Sequence, residues 1–250
     1  MNLDPSTLRI GIAGWSLPVS LRQSMHAEQP LLQQYAHLFD VVEINSSFYR
    51  PHRLATYQRW AASVPAKFRF SVKLPRLITH EKRLVGCGQD LIEFMECVHG
   101  LEEKLGVWLV QLPPSAILDT RSARRFFAAM RRESSRPIAC EPRHPSWFTA
   151  RADEIFGEFG LTRVLADPIP VGCEVNPPCS SDFAYMRLHG SPRMYYSSYS
   201  SADLQRRLMR FMAPPCGELS GWCIFDNTAA GAAWVDAQAM QRLLRSAAAT

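Results

Sequence analysis

The chain has 250 residues, 47% hydrophobic and 20% charged, with 13 Gly, 18 Pro and a formal net charge of +5. This composition excludes disordered, collagen-like and low-complexity chains, and the length supports a sizeable core, read here as one domain over residues 1–250. No stretch nears the roughly 18 apolar residues of a membrane span, the first residues lack a secretion signal, and the seven cysteines form no C-x-x-C pair. Reduced thiols in a cytoplasmic protein without a membrane partner are expected, with Cys140 and Cys223 as small buried hydrophobes.

Eight short apolar runs, most of them ending in a polar residue, read as buried strands, with helical patterns between most of them. Leu8–Ala13 precedes the helical pattern Pro30–Leu38, and Val41–Asn45 precedes Leu54–Val64. Phe68–Lys73 is followed by Asp90–Leu105, where Leu91, Met95, Val98, Leu101 and Leu105 form one stripe and Gly106 is the expected stop. Val107–Gln111 leads to Thr120–Glu133, and Pro137–Glu141 to Ala152–Phe159. After Thr162–Asp167 the segment 167–183 holds four Pro and reads as loop, so the sixth crossover is expected to lack a regular helix. Ala184–His189 precedes Ser201–Met212, with Ser201 as the expected N-cap, and Gly221–Asp226 precedes Gly231–Ala247.

Eight strands alternating with helices in this length predict an α/β fold, a (β/α)8 TIM barrel. A doubly wound sheet fits less well, because Gly11 and Gly14 do not complete G-x-G-x-x-G. In a barrel the chemistry lies at the carboxyl ends of the strands. Those positions hold Trp15, Glu43 with Asn45, Lys73, Gln111, Glu141 with Arg143, Asp167, Arg187 with His189, and Asp226 with Asn227. Burying so many charges unpaired is costly, so the ring reads as a site. The structural alternative is mutual neutralisation, with Lys73, Arg143 and Arg187 pairing the carboxylates.

Two segments hint at a ligand. Gly190 after Arg187-Leu-His189, and the small residues after Asp226-Asn227, leave room for an anion at a helix N-terminus. A small anionic or phosphorylated ligand is therefore expected between Arg187, His189, Gly190 and the turn 226–231, with Asp226 pointing aside and Asn227 donating to it. Tight packing of the alanines is the alternative. No cofactor is firmly implied, although Glu141, Asp167 and His189 offer a divalent metal hard oxygen and imidazole ligands. Among the aromatics Trp15, Phe48, Tyr49, Trp147, Tyr195, Tyr196 and Tyr199, Tyr49 and Tyr196 are the better candidates to stack a ligand. Residues 121–136 hold six Arg, read as a solvated helix face with Phe126, Phe127 and Met130 inward; a nucleic-acid surface is the alternative.

Several segments carry a family resemblance: IGIAGW (10–15), VEINSSFYR (42–50), FRFSVKLPRLITHEKRL (68–84), LVQLPPS (109–115), EPRHPSWF (141–148), LADP (165–168), YMRLHG (185–190) and FDNTAAGAA (225–233). In this order they resemble the YecE-like family of unknown function, DUF72. The resemblance implies a TIM barrel similar in fold to metal-dependent barrels of the xylose-isomerase and endonuclease-IV type. It also implies functional roles for Glu43, Asn45, Tyr49, Lys73, His80, Gln111, Glu141, Arg143, Trp147, Asp167, Arg187, His189 and Asn227. The chain departs from the family pattern after Trp15, at SLPVSLRQSMHAEQP, and at Thr228, where the family often has Asp.

The leading expectation is an enzyme acting on an anionic or phosphorylated substrate by general acid–base chemistry. Glu141 would be the main acid or base, Glu43 its partner, and Lys73, Arg187 and His189 the anion stabilisers, with Asp167 in the same catalytic set. The alternatives are a metal-dependent phosphodiesterase or endonuclease-like hydrolase built on Glu141, Asp167 and His189, or a non-catalytic nucleotide or nucleic-acid binder using Arg124, Arg125, Arg131 and Arg132. The oligomeric state is not legible.

Overall fold

The computed structural model describes residues 8–16, 28–173, 183–212 and 220–248. Its strands are β1 (Leu8–Ile12), β2 (Val41–Ile44), β3 (Arg69–Lys73), β4 (Leu105–Gln111), β5 (Ile138–Glu141), β6 (Leu161–Arg163), β7 (Leu165–Asp167), β8 (Phe183–Leu188) and β9 (Ser220–Phe225). They form one sheet in the order β1-β9-β8-β7 and another in the order β2-β3-β4-β5-β6. The paired strands run parallel, as in the registers Trp108↔Ile138 and Met186↔Cys223. The helices Leu31–Ala36, Leu54–Ala62, Gly88–Val98, Thr120–Glu133, Ala150–Glu158, Ser201–Met212 and Ala232–Ala248 alternate with these strands. This strand–helix alternation with parallel pairing is that of the (β/α)8 class.

The described residues group into two compact units. One comprises those up to Glu43, Leu165–Pro168 and those from 183 onward; the other comprises Ile44–Val164 and 169–173. In the first unit Tyr35 fastens β1 to β2: its fully buried hydroxyl accepts from Ile12 N at 2.9 Å and donates to Val41 O at 2.7 Å. Gly11 is required beside it, since a Cβ there would lie 2.3 Å from Val41 O. In the second unit the core is built by Phe70, Val72, Trp108, Val110 and Phe127, all fully buried, as strands covered on both faces demand.

Three expectations are corrected. The expected strand Thr162–Asp167 is two strands, because at Val164, which donates to Cys140 O at 2.9 Å, the ladder changes partner. β6 pairs with β5, and β7 pairs with β8. The helix expected to run to Leu105 ends at Val98, and a tighter turn His99–Lys104 follows, in which Glu102 has φ 50°. Gly106 consequently lies inside β4 and stops no helix. The cap of Ser201–Met212 is Ser200, not Ser201: its hydroxyl accepts from Asp203 N at 3.1 Å. The stretch 168–173 contains no helix, in line with the expected sixth crossover, and 174–182 lie outside the described residues.

The Arg-rich helix turns Phe126, Phe127 and Met130 inward, as expected. Arg124 pairs with Glu158 at 2.7 Å, and Arg131 donates to the carbonyls of Phe159, Arg136 and Gly160. Cys140 and Cys223 are buried, which pushes both thiols up from their ordinary range.

Candidate active site

In the first unit β2, β8 and β9 bring four charged or titratable side chains around Arg187, which is fully buried. Its Nε donates to Glu43 Oε2 at 2.9 Å, and its Nη2 donates to Glu43 Oε1 at 2.6 Å and Asp226 Oδ2 at 2.9 Å. Nη1 lies 3.3 Å from His189 Nε2, and His189 Nδ1 lies 3.0 Å from Asp226 Oδ2. The imidazole thus sits between the Arg187 guanidinium and the Asp226 carboxylate. Tyr185, also fully buried, donates to Glu43 Oε2 at 3.1 Å.

This arrangement changes the reading of Arg187 and His189. One guanidinium already faces two carboxylates in a bidentate and a bridging contact, so an incoming anion would have to displace one of them. Asp226 does not point aside; it is held by Arg187 and His189. Asn227 does not present its amide to a ligand either. Its Nδ2 donates to Ser197 O at 2.9 Å and to Asp236 Oδ2 at 2.7 Å. Gly190, at φ 94°, is needed by the loop itself, because a Cβ would lie 2.8 Å from Ser197 O.

A second network surrounds Asp167. Tyr199 donates its hydroxyl to Asp167 Oδ2 at 2.7 Å and accepts from Gly190 N at 2.8 Å. Burial and the Asp167 carboxylate together push that phenol well above its ordinary range. Arg207 pairs with Asp167 at 2.8 Å. Asp236, buried on the helix Ala232–Ala248, collects Asn227, the Tyr199 amide and the Ser198 hydroxyl.

In the second unit three neighbouring strands, β3, β4 and β5, end in Lys73, Gln111 and Glu141, all buried. Gln111 and Glu141 are register partners, and the amide of Gln111 donates to Glu141 Oε1 at 3.4 Å. Arg143, two residues beyond, pairs with the same Glu141 oxygen. Lys73 holds its ammonium 4.3 Å from the centre of the Phe48 ring. His80 meets that ring edge-on, with centroids 4.8 Å apart, and its Nδ1 lies 2.9 Å from the Thr79 hydroxyl. Burial, with the Lys73 and Arg76 charges adding to it, holds His80 down at about 4, so it is uncharged at neutral pH.

The remaining expected site residues are dispersed. Trp15 is half-buried after β1, and Asn45 is half-buried at the end of β2. Tyr49 is 79% exposed beside Phe48. Tyr196 is exposed, with the Arg193 guanidinium 3.9 Å from its ring centre. Trp147 is buried and its indole donates to Ala116 O at 2.9 Å, which makes it a packing residue of its loop. Among the described residues no three His, Cys, Asp or Glu side chains come together as a metal site. Asp167 and His189 are engaged by Tyr199, Arg207 and Arg187 instead.

Sequence reading passed over Tyr185, Arg207 and Asp236 and ranked Tyr199 behind its neighbours. Only Asp236 carried a usable signal. It is an acid on the stripe of Ala233, Trp234, Ala237 and Met240, all buried, and a carboxylate on a buried face needs partners.

Parallel β/α alternation with polar side chains gathered at strand ends defines a protein of the TIM-barrel class. The chain belongs to the family described as "Protein of unknown function DUF72", whose model matches residues 9–250. It is similar to the UPF0759 protein YecE of Escherichia coli K12, 29% identical over 171 residues, which is 65% of this chain and 60% of YecE. UPF0759 protein YunF of Bacillus subtilis is 26% identical over 56% of this chain and 52% of its own length. The matched stretch thus spans less than two thirds of these relatives. A DUF72 family protein of Thermotoga maritima superposes with a TM-score of 0.76 at 22% identity, covering 95% of this chain and 99% of that one. Among the described residues no helix is long and apolar enough to cross a membrane.

Proposed function

We propose that the protein is an enzyme acting on a small anionic or phosphorylated substrate by acid–base chemistry at the carboxyl ends of β3, β4 and β5. The observation that carries this reading is the cluster of Lys73, Gln111 and Glu141 on adjacent strand ends, with Arg143 on Glu141. Lys73 and Arg143 supply the positive charge that Arg187, held by Glu43 and Asp226, does not offer. Glu141 is the proton-transfer group. A substrate anion that draws Arg143 toward itself leaves the Glu141 carboxylate oxygen open to accept a proton. Gln111 orients the carboxylate through its amide. His80, being uncharged, contributes a hydrogen bond rather than charge. Among the described residues no contact favours the metal-dependent or the nucleic-acid alternative.

Thermal-shift titration with inorganic phosphate, sugar phosphates and small dicarboxylates tests the reading. At least one anion should raise the melting temperature of the wild type, and Lys73→Met and Arg143→Met should each remove most of that rise. Glu141→Gln should retain anion binding while losing turnover of the substrate so identified. If none of these anions stabilises the wild type at millimolar concentration, or if Lys73→Met binds them unchanged, the reading fails.

A further inference from the structure

The second unit also holds a cavity of about 440 Å³ among the segments 48–51 and 75–81 and the helix Gly88–Val98. Its size falls in the range of small-molecule sites. Phe48, Tyr49, Leu77, Ile78 and Phe94 give it an apolar, largely aromatic wall. Lys73, Gln111, Glu141 and Arg143 are not among its lining residues, and Phe48 lies between Lys73 and the cavity.

The charges lining it are unbalanced. Glu81, Asp90 and Glu93 line the cavity, and Arg76 is its sole lining cation among the described residues. Arg76 lies 3.6 Å from Glu81, and Lys82 pairs with Asp90 at 2.5 Å. Glu93 receives a hydrogen bond from Gln89 at 2.8 Å, and among the described residues no cation pairs with it. One carboxylate on the wall of an aromatic cavity is thus left without a countercharge. An anionic ligand would meet three carboxylates there, whereas a cation would meet Glu93 beside an apolar, largely aromatic wall. Phe48 already carries the Lys73 ammonium 4.3 Å from its centre, which shows that ring in the role of a cation's neighbour. Tyr49, 79% exposed and edge-on to Phe48, presents a second ring.

We propose that this cavity is a binding site for a small organic cation with an apolar body, of the arylalkylammonium class. The apolar body fills the space between Phe48, Ile78 and Phe94, and the ammonium group pairs with Glu93. The site does not depend on the anion-directed reading above, and either can fail without the other.

Calorimetric titration of the full chain with 2-phenylethylammonium, 2-phenylethanol and 3-phenylpropionate tests it. The ammonium ion should bind about fivefold or more tightly than the alcohol, and the carboxylate least. Added salt should narrow the gap between the ammonium ion and the alcohol. Glu93→Gln should weaken ammonium binding about threefold or more without changing the melting temperature of the free protein. Leu77→Trp, at a wall position 41% exposed, should block all three compounds by filling the cavity. Equal affinity for ammonium and carboxylate overturns the proposal, as does an affinity indifferent to both substitutions in folded protein. No saturable ammonium binding at millimolar concentration also overturns it.

Discussion

The strand ends around Arg187 and those around Glu141 read alike in the sequence, yet their side chains meet different fates. At Arg187 one buried cation serves two carboxylates and a histidine, and four of its N–H directions are taken. At Glu141 the contacts include a long 3.4 Å amide contact from Gln111 and an ion pair with Arg143, whose side chain is 11% exposed. A saturated network holds structure, because any new partner must first displace an old one. Charge at a strand end is therefore no evidence of chemistry until its partners have been counted.

The largest expected effect breaks the saturated network. Arg187→Ala leaves Glu43 and Asp226 buried without their cation and should cost about 3–5 kcal/mol in denaturant unfolding. A loss below about 1 kcal/mol would mean that the network is not a stability element. Next, Tyr199→Phe removes one donor from Asp167 and the acceptor of the Gly190 amide. About 1–3 kcal/mol should be lost, because a buried amide is left unsatisfied.

The pH dependence of stability sharpens the comparison from the other unit. His80 is held at about 4 in the folded chain, by burial first and then by Lys73 and Arg76. Its unfolded value is near 6.5. Between these values the unfolded state binds the proton and the folded state does not, so stability is full above about pH 6.5 and falls toward pH 4. With solvent screening at this half-exposed ring, roughly 1–2 kcal/mol should disappear over that window. His80→Asn should flatten this part of the profile, and an unchanged slope would assign it to other groups. The smallest effect is expected at Lys73→Met: less than about 1 kcal/mol in unfolding, since the stem still packs while the ammonium contact with the Phe48 ring is lost. A loss comparable to that of Arg187→Ala would erase the distinction between the two strand-end clusters.

Strand positions were legible because buried parallel strands are short apolar runs; β5 was expected at Pro137–Glu141 and lies at Ile138–Glu141. The helix expected to reach Leu105 was misjudged because its stop is tertiary. At Gly100 the chain presses on Leu54, where a Cβ would lie 2.8 Å from the carbonyl oxygen, and Glu102 then leaves helical geometry. Periodicity carries no trace of such a contact. The residue types of the site were legible as well, since charges at strand ends stand out in apolar runs. Their pairing was not: Glu43 and Arg187 are 144 positions apart, and nothing local distinguishes a carboxylate that will be neutralised from one that will not. Arg207 looked like any solvated helix arginine, and only the fold brings Asp167 to it.

The pairing of β1 with β9 has a consequence for the order in which the protein comes into being. Leu8 faces Gly221 and Ile12 faces Phe225, so among the described strands the first to be synthesised pairs along that edge with the last. The strands β2 to β6, by contrast, follow one another in the sheet as they do in the chain, and each can dock as soon as it emerges. At ordinary translation rates of about 5–20 residues per second, that edge of β1 waits for β9 for about ten seconds or more. During that wait it is an unpaired apolar edge, open to the wrong partner. A nascent chain stalled before Gly221 should therefore carry β2 to β6 protected from proteolysis while β1 remains cleavable.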